Sequence, residues 1–99
     1  MENKKLTVLA VFTGKIGMGD KIENELKALI GPTRKETGCI EYRLHRSKDN
    51  PDNFMFYETW ISKGDLDKHL KTEHLTTIGA RANTLCASSP TVTFWEEYA

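Results

Sequence analysis

Apolar residues recur along this chain in two alternating rhythms. From 5 to 13, KLTVLAVFT, β-branched and apolar side chains crowd together and predict a strand. Gly14, Gly17 and Gly19 then break the chain. From about Asp20 the period lengthens. Ile22, Leu26, Leu29 and Ile30 recur at helical spacing, with Lys21, Glu23, Glu25 and Lys27 on the other faces. Gly31-Pro32 interrupts or kinks this helix, and a further turn runs to Glu36 before Gly38 stops it. Residues 39–48, CIEYRLHRSK, return to strict alternation: Ile40, Tyr42 and Leu44 face one way, Glu41, Arg43 and His45 the other. DNPDN at 49–53 is a turn, because Pro51 presets its own φ and Asn50 and Asp52 tolerate turn conformations. FMFYETWI at 54–61 is the returning strand of a hairpin. Ser62 then caps a helix, with Asp65 placed for a near capping box, and Leu66, His69 and Leu70 share one face. Thr72 caps a second helical piece carrying Leu75, Ile78, Ala82 and Leu85; Pro90 ends it, and TVTFWEEY at 91–98 is a last strand.

The order β-α-β-β-α-β predicts an α+β class, ferredoxin-like domain over residues 1–99. Two helices pack on one face of a four-stranded antiparallel sheet. The other face is the informative one. A sheet with one wet face alternates apolar and polar positions, yet the third strand carries Phe54, Phe56, Glu58 and Trp60 on one side and Met55, Tyr57, Thr59 and Ile61 on the other. The last strand has Val92, Phe94 and Tyr98 on one side and Trp95 on the other. Both faces are apolar enough to be covered. A homodimer through the sheet face, giving a dimeric α/β barrel, is the simplest cover.

Composition narrows the classes further. Fourteen basic residues balance fourteen acidic ones, so no electrostatic case exists for nucleic acid or an anionic membrane. No apolar run approaches the roughly 20 residues that span a bilayer. The opening MENKKLTVLAVF has the lysines of a weak leader, but its alternation with Thr7 and Thr13 and the lack of a convincing cleavage site favour a first strand. Cys39 and Cys86 show neither metal spacing nor a CxxC pair and read as reduced thiols of a cytoplasmic protein.

Chemistry concentrates between Phe54 and Leu75. Glu58, between Phe56 and Trp60, is a carboxylate on the helix side of the sheet. It is either a general base or orienting acceptor, or a buried glutamate bonded to backbone amides or to an arginine such as Arg34. His74 follows the helix break at Thr72, where a cavity is expected, and titrates near neutral pH; it is a base, or else a capping or interface histidine. His69 shares the face of Leu66 and points inward, toward a ligand or into the core. Trp60 and Tyr42 project from neighbouring strands toward the helices, either to stack on a planar ligand or to fill the core; Phe12 and Phe56 complete an apolar wall. His45 points to the opposite sheet face. No metal site is expected: His69 and His74 are five apart, off the i, i+4 ridge, and no third ligand stands out. GKIGMG matches no nucleotide fingerprint, and neither a flavin nor a nicotinamide site is implied.

Taken in order, PTRKETGCIEYRLHRSKDNPDNF, FYETW and SKGDLDKHLKTEHL resemble the antibiotic biosynthesis monooxygenase domain family over nearly the whole chain. The resemblance implies small ferredoxin-like subunits dimerising through their sheets. It covers cofactor-free oxygenases of quinols and phenols, haem-degrading enzymes and autoinducer-processing isomerases. The leading expectation is a cofactor-independent monooxygenase acting on a small aromatic phenol or quinol with molecular oxygen. His74 or Glu58 would be its base, and Trp60 and Tyr42 would position the ring. The alternatives are an isomerase of a small hydroxylated carbonyl and a non-catalytic binding dimer. Haem degradation fits less well: Trp60 matches the tryptophan that distorts haem in those relatives, but their proximal histidine falls near Gly79, and the first strand lacks their asparagine.

Overall fold

Strand pairing and helix caps organise the chain much as its rhythms predict. The computed structural model describes residues 5–99; the first four, part of the segment weighed as a leader or a strand, lie outside the described residues. In chain order the elements are β1 (Leu6–Thr13), α1 (Gly19–Lys27), α2 (Ile30–Arg34), β2 (Cys39–Arg46), β3 (Asn53–Trp60), α3 (Lys63–Leu70), α4 (Glu73–Thr84) and β4 (Thr91–Trp95). The sheet is antiparallel throughout, in the order β2-β3-β1-β4, which is the ferredoxin-like arrangement.

The break between α1 and α2 precedes Gly31-Pro32. Pro32 has no N–H to offer the carbonyl of Ala28, one turn earlier. The preceding turn tightens instead, with Ala28 and Leu29 donating to Glu25 and Leu26, three residues back. Ser62 caps α3 by accepting from the Asp65 N–H at 3.2 Å, while its hydroxyl donates to the Asp65 carboxylate at 2.9 Å. Thr72 caps α4 by accepting from the Leu75 N–H at 3.3 Å and donates its own hydroxyl to the His69 carbonyl at 2.8 Å. One threonine therefore ends α3 and starts α4.

The helices cover one face. Ile22 and Leu26 of α1, Leu29, Leu66 of α3, and Ile78 and Ala82 of α4 pack over Val8, Ala10, Tyr42, Phe54, Phe56 and Trp60. On β3 every second residue is buried, from Phe54 to Trp60. Among the described residues no helix covers the opposite face; Leu9, Met55, Tyr57 and Thr59 are partly exposed and Val11 and Trp95 exposed.

Two details depart from the sequence expectation. Alternation in β2 placed Ile40 with Tyr42, but the β2–β3 register slips between Cys39 and Glu41, leaving Ile40 as the extra residue, 44% exposed. The last strand stops at Trp95 rather than Tyr98, because Trp95 pairs with Thr7 and β1 begins one residue earlier at Leu6. Cys39 and Cys86 are free thiols. No helix among the described residues is long and apolar enough to cross a membrane.

Candidate active site

A cavity of about 610 Å³ lies between the helices and the sheet. Val8, Ala10, Phe12 and Phe56 form its floor, and Leu26, Leu29, Leu66, Leu70 and Leu75 its roof and sides. The side toward β4 is bounded by Pro90, Val92 and Phe94, the last two exposed. Polar groups are few: Glu58, Tyr42 and His69, with Thr76 and Asn83 from α4.

Strand alternation delivers the floor. Tyr42 stacks on Phe56 with ring centroids 4.3 Å apart, and Phe12 meets the same ring edge-on at 6.2 Å. Glu58 and Trp60, two apart on the same strand face, satisfy each other: the indole Nε1 donates to Glu58 Oε1 at 2.9 Å. Arg34, a conceivable partner for Glu58, instead donates from Nε and Nη2 to the Tyr42 carbonyl, at 3.2 and 2.9 Å. The second oxygen of Glu58 has no partner among the described residues and belongs to a residue that lines the cavity. Burial pushes the Glu58 carboxyl up to about 7, against the opposing pull of the Trp60 N–H and with a smaller push from the charge of Glu36. The Tyr42 phenol is also held above its ordinary range, first by burial and then by Glu58.

His69 is the histidine in the cavity wall. Its ring lies 4.6 Å from Trp60 and 5.7 Å from Tyr42, centroid to centroid. Nδ1 stands 2.7 Å from Glu36 Oε2. A carboxylate oxygen accepts, so Nδ1 carries the hydrogen and Nε2 of the neutral ring keeps its lone pair. Nε2 has no hydrogen-bond partner among the described residues, and His69 lines the cavity. Burial lowers the His69 pKa, with Glu36 acting in the opposite direction. The ring is therefore a neutral acceptor, held by one nitrogen and open at the other.

His74 does not line the cavity. It sits in the first turn of α4, and its Nε2 lies 2.8 Å from the same Glu36 Oε2. Trp60 too stands behind the wall rather than in it. Of the seven residues singled out in the sequence, Glu58, Tyr42, His69, Phe56 and Phe12 share the cavity. Trp60 and His74 support it from outside.

The residue that sequence reasoning missed is Glu36. It lies in the turn between α2 and β2, where its N–H donates to the Thr33 carbonyl and its own carbonyl accepts from Cys39. Gly38 lets this turn approach α3, since a Cβ there would run into the Asp65 side chain. No third ligand stands out in the sequence beside the two histidines; the fold brings Glu36 within hydrogen-bond distance of both. They belong to different helices and meet one carboxylate through different ring nitrogens, so their spacing of five along the chain does not govern the contact.

The family described as antibiotic biosynthesis monooxygenase matches residues 5–81. Rv0793 of Mycobacterium tuberculosis is 31% identical over 88 residues, spanning 89% of this chain and 86% of its own; its structure superposes with a TM-score of 0.89. PA3566 of Pseudomonas aeruginosa has a TM-score of 0.90 at 29% identity, over 97% of this chain and 96% of that one. A crystal structure described as an antibiotic biosynthesis monooxygenase gives 0.90 at 29% identity, over 95% and 99%. The Synechocystis protein sll1783 is 32% identical over 68 residues, which make 65% of this chain and 46% of that protein, so this chain spans about half of that relative's length. On the family match and the shared fold, the chain belongs to the antibiotic biosynthesis monooxygenase family.

Proposed function

We propose that the protein is a cofactor-independent monooxygenase that oxidises a small phenol or quinol in the cavity between helices and sheet. The observation that carries this reading is His69: an imidazole anchored through Nδ1 on Glu36, with Nε2 unpartnered, in the wall of a largely apolar chamber. Molecular oxygen reacts slowly with closed-shell organic molecules but accepts an electron from an electron-rich phenolate. The protein's task is then to remove the phenolic proton, hold the anion away from water and admit oxygen.

His69 Nε2 takes the phenolic proton. The phenolate passes one electron to oxygen, and the resulting radical and superoxide join in a C–O bond at a ring carbon that bears hydrogen, para to the oxygen in a phenol or ortho to it in a quinol. The peroxide takes back a proton, from His69 or from Glu58, whose pKa of about 7 lets it serve as donor and acceptor near neutrality. Loss of the ring C–H proton as the O–O bond breaks leaves a quinone, and the departing hydroxide leaves as water. One oxygen atom enters the product, the other becomes water, and the substrate supplies all the electrons. Tyr42, Phe56 and Phe12 clamp the ring by stacking. The helix-free sheet face, with Leu9, Val11, Met55, Tyr57 and Trp95, supports a homodimer through that face.

The test is oxygen uptake with a panel of quinols and anthrones in chelator-treated buffer. The reading requires at least one panel member to consume one oxygen per product, with one atom of labelled oxygen in the quinone product and no hydrogen peroxide released, and it fails if the whole panel is inert. Glu58 and His69 facing one cavity also suit proton transfer without oxygen, as in an isomerase of hydroxylated carbonyl compounds. Turnover that persists anaerobically would select that second reading.

A further inference from the structure

The cluster Glu36, His69 and His74 has a property that oxygenation does not require. One carboxylate oxygen and two imidazole nitrogens lie within 4.8 Å of one another. They come from three segments: the turn before β2, the end of α3 and the start of α4. We propose that these three residues bind a single divalent transition-metal ion, and that the bound ion disables His69 as the base of the cavity.

The donor set favours this class of ion. Two imidazoles and one carboxylate suit Zn²⁺, Co²⁺, Ni²⁺ or Fe²⁺, whereas Mg²⁺ and Ca²⁺ prefer all-oxygen shells. Ligand atoms about 2.0–2.1 Å from a common zinc ion stand about 3 Å from each other. Glu36 Oε2 already lies 2.7 Å from His69 Nδ1 and 2.8 Å from His74 Nε2. Two N–H···O bonds converge on one oxygen, and an ion at that point takes the place of both bridging hydrogens. The His74 side chain is 21% exposed and the His69 side chain 3%. His74 therefore provides the entry side and the freedom to adjust, while His69 is held.

The consequence for the cavity follows from imidazole chemistry. A neutral imidazole bound through Nδ1 carries its one proton on Nε2. In each ring a proton moves from the ligating nitrogen to the other one, and neither ring changes charge. His69 then presents an N–H to the cavity where it had presented a lone pair, and it no longer accepts the phenolic proton. The ion is an inhibitor, bound outside the cavity wall rather than at the reacting atoms. This second part rests on the reading of His69 as the base; the binding site does not.

The experiment titrates Zn²⁺ into the chelator-treated full chain by calorimetry. In parallel, ¹⁵N-resolved spectra of the histidine rings are recorded, and oxygen uptake is measured wherever the quinol panel gives turnover. The expected result is one ion per chain, with affinity at least tenfold weaker in both His74→Ala and Glu36→Gln. The second variant keeps the size and a hydrogen-bonding oxygen, and circular dichroism verifies that each variant is folded. The His69 proton should move from Nδ1 to Nε2 on saturation, and zinc should suppress uptake over the same concentration range as binding. Absence of one-to-one binding, or affinity unchanged in both folded variants, overturns the site. Binding without the tautomer change overturns the inhibitory role. A wholly inert quinol panel would count against the proposed oxygenation and leave calorimetry and spectra to decide the metal site.

Discussion

At the scale of single residues, the site is governed by two carboxylates in unlike settings. Glu36 is held by two imidazole N–H donors, and Glu58 by one indole donor in an apolar wall. The Glu58 carboxyl is raised from 4.5 to about 7, chiefly by burial. Below about 4.5 both the folded and unfolded states carry its proton, and burial costs little. As pH rises toward 7 the unfolded state ionises first, so folding stability is lost progressively through that interval. The loss is on the order of 3 kcal/mol at about 1.4 kcal/mol per tenfold in proton affinity. His69, lowered by burial, has the opposite sign: stability is lost as pH falls through about 6.5. Comparing Glu58→Gln with the parent isolates the first effect. The melting temperature of the variant relative to the parent should climb between pH 5 and pH 8, and a flat difference would mean that Glu58 is not held protonated by its surroundings. The inward direction of Glu58, Tyr42 and Phe56 was legible because a strand has period two. Glu36 was not: a turn residue has no periodicity, and its contacts reach 33 and 38 positions along the chain. The choice between His69 and His74 depended on the angle at which α3 meets α4, which no local pattern encodes.

At the scale of elements, the α3–α4 junction sets the geometry of both histidines. Thr72 caps α4 through its oxygen and closes α3 through its hydroxyl hydrogen. Thr72→Ala should cost about 1 kcal/mol of stability, the usual value of such a cap. It should also lower kcat more than it raises KM, because it loosens the rings on Glu36 without touching the cavity floor. Chemical denaturation and steady-state kinetics on one preparation would check both effects. Equal losses in each kinetic constant would instead indicate a distorted pocket. The junction itself was legible in the sequence, since Ser62 and Thr72 each precede a helical run. The β2 bulge was not: Ile40 fits the alternation as a sequence, and only the pairing with β3 exposes the slip.

At the scale of the whole molecule, one face of the sheet carries the cavity and the other is left uncovered by helices among the described residues. Tyr57→Glu places a charge amid Leu9, Thr59 and Arg43 on the uncovered face, since Tyr57 pairs with Leu9 on one side and Arg43 on the other. In the proposed dimer this change should shift the light-scattering mass toward the 11.3 kDa monomer. An unchanged mass would place the interface elsewhere. The two-sided apolar pattern of β3 made a second, helix-free apolar face legible in the sequence, whereas the cavity's shape, set by how four helical segments sit on the sheet, was not. Turnover is where these scales meet. The most direct measurement compares metal-free oxygen uptake by the parent protein and by His69→Ala on the same quinol, with melting curves confirming that both are folded. The account predicts that kcat/KM falls by about 10²-fold or more in the variant, in the range of a lost general base. Undiminished uptake by folded His69→Ala would contradict it.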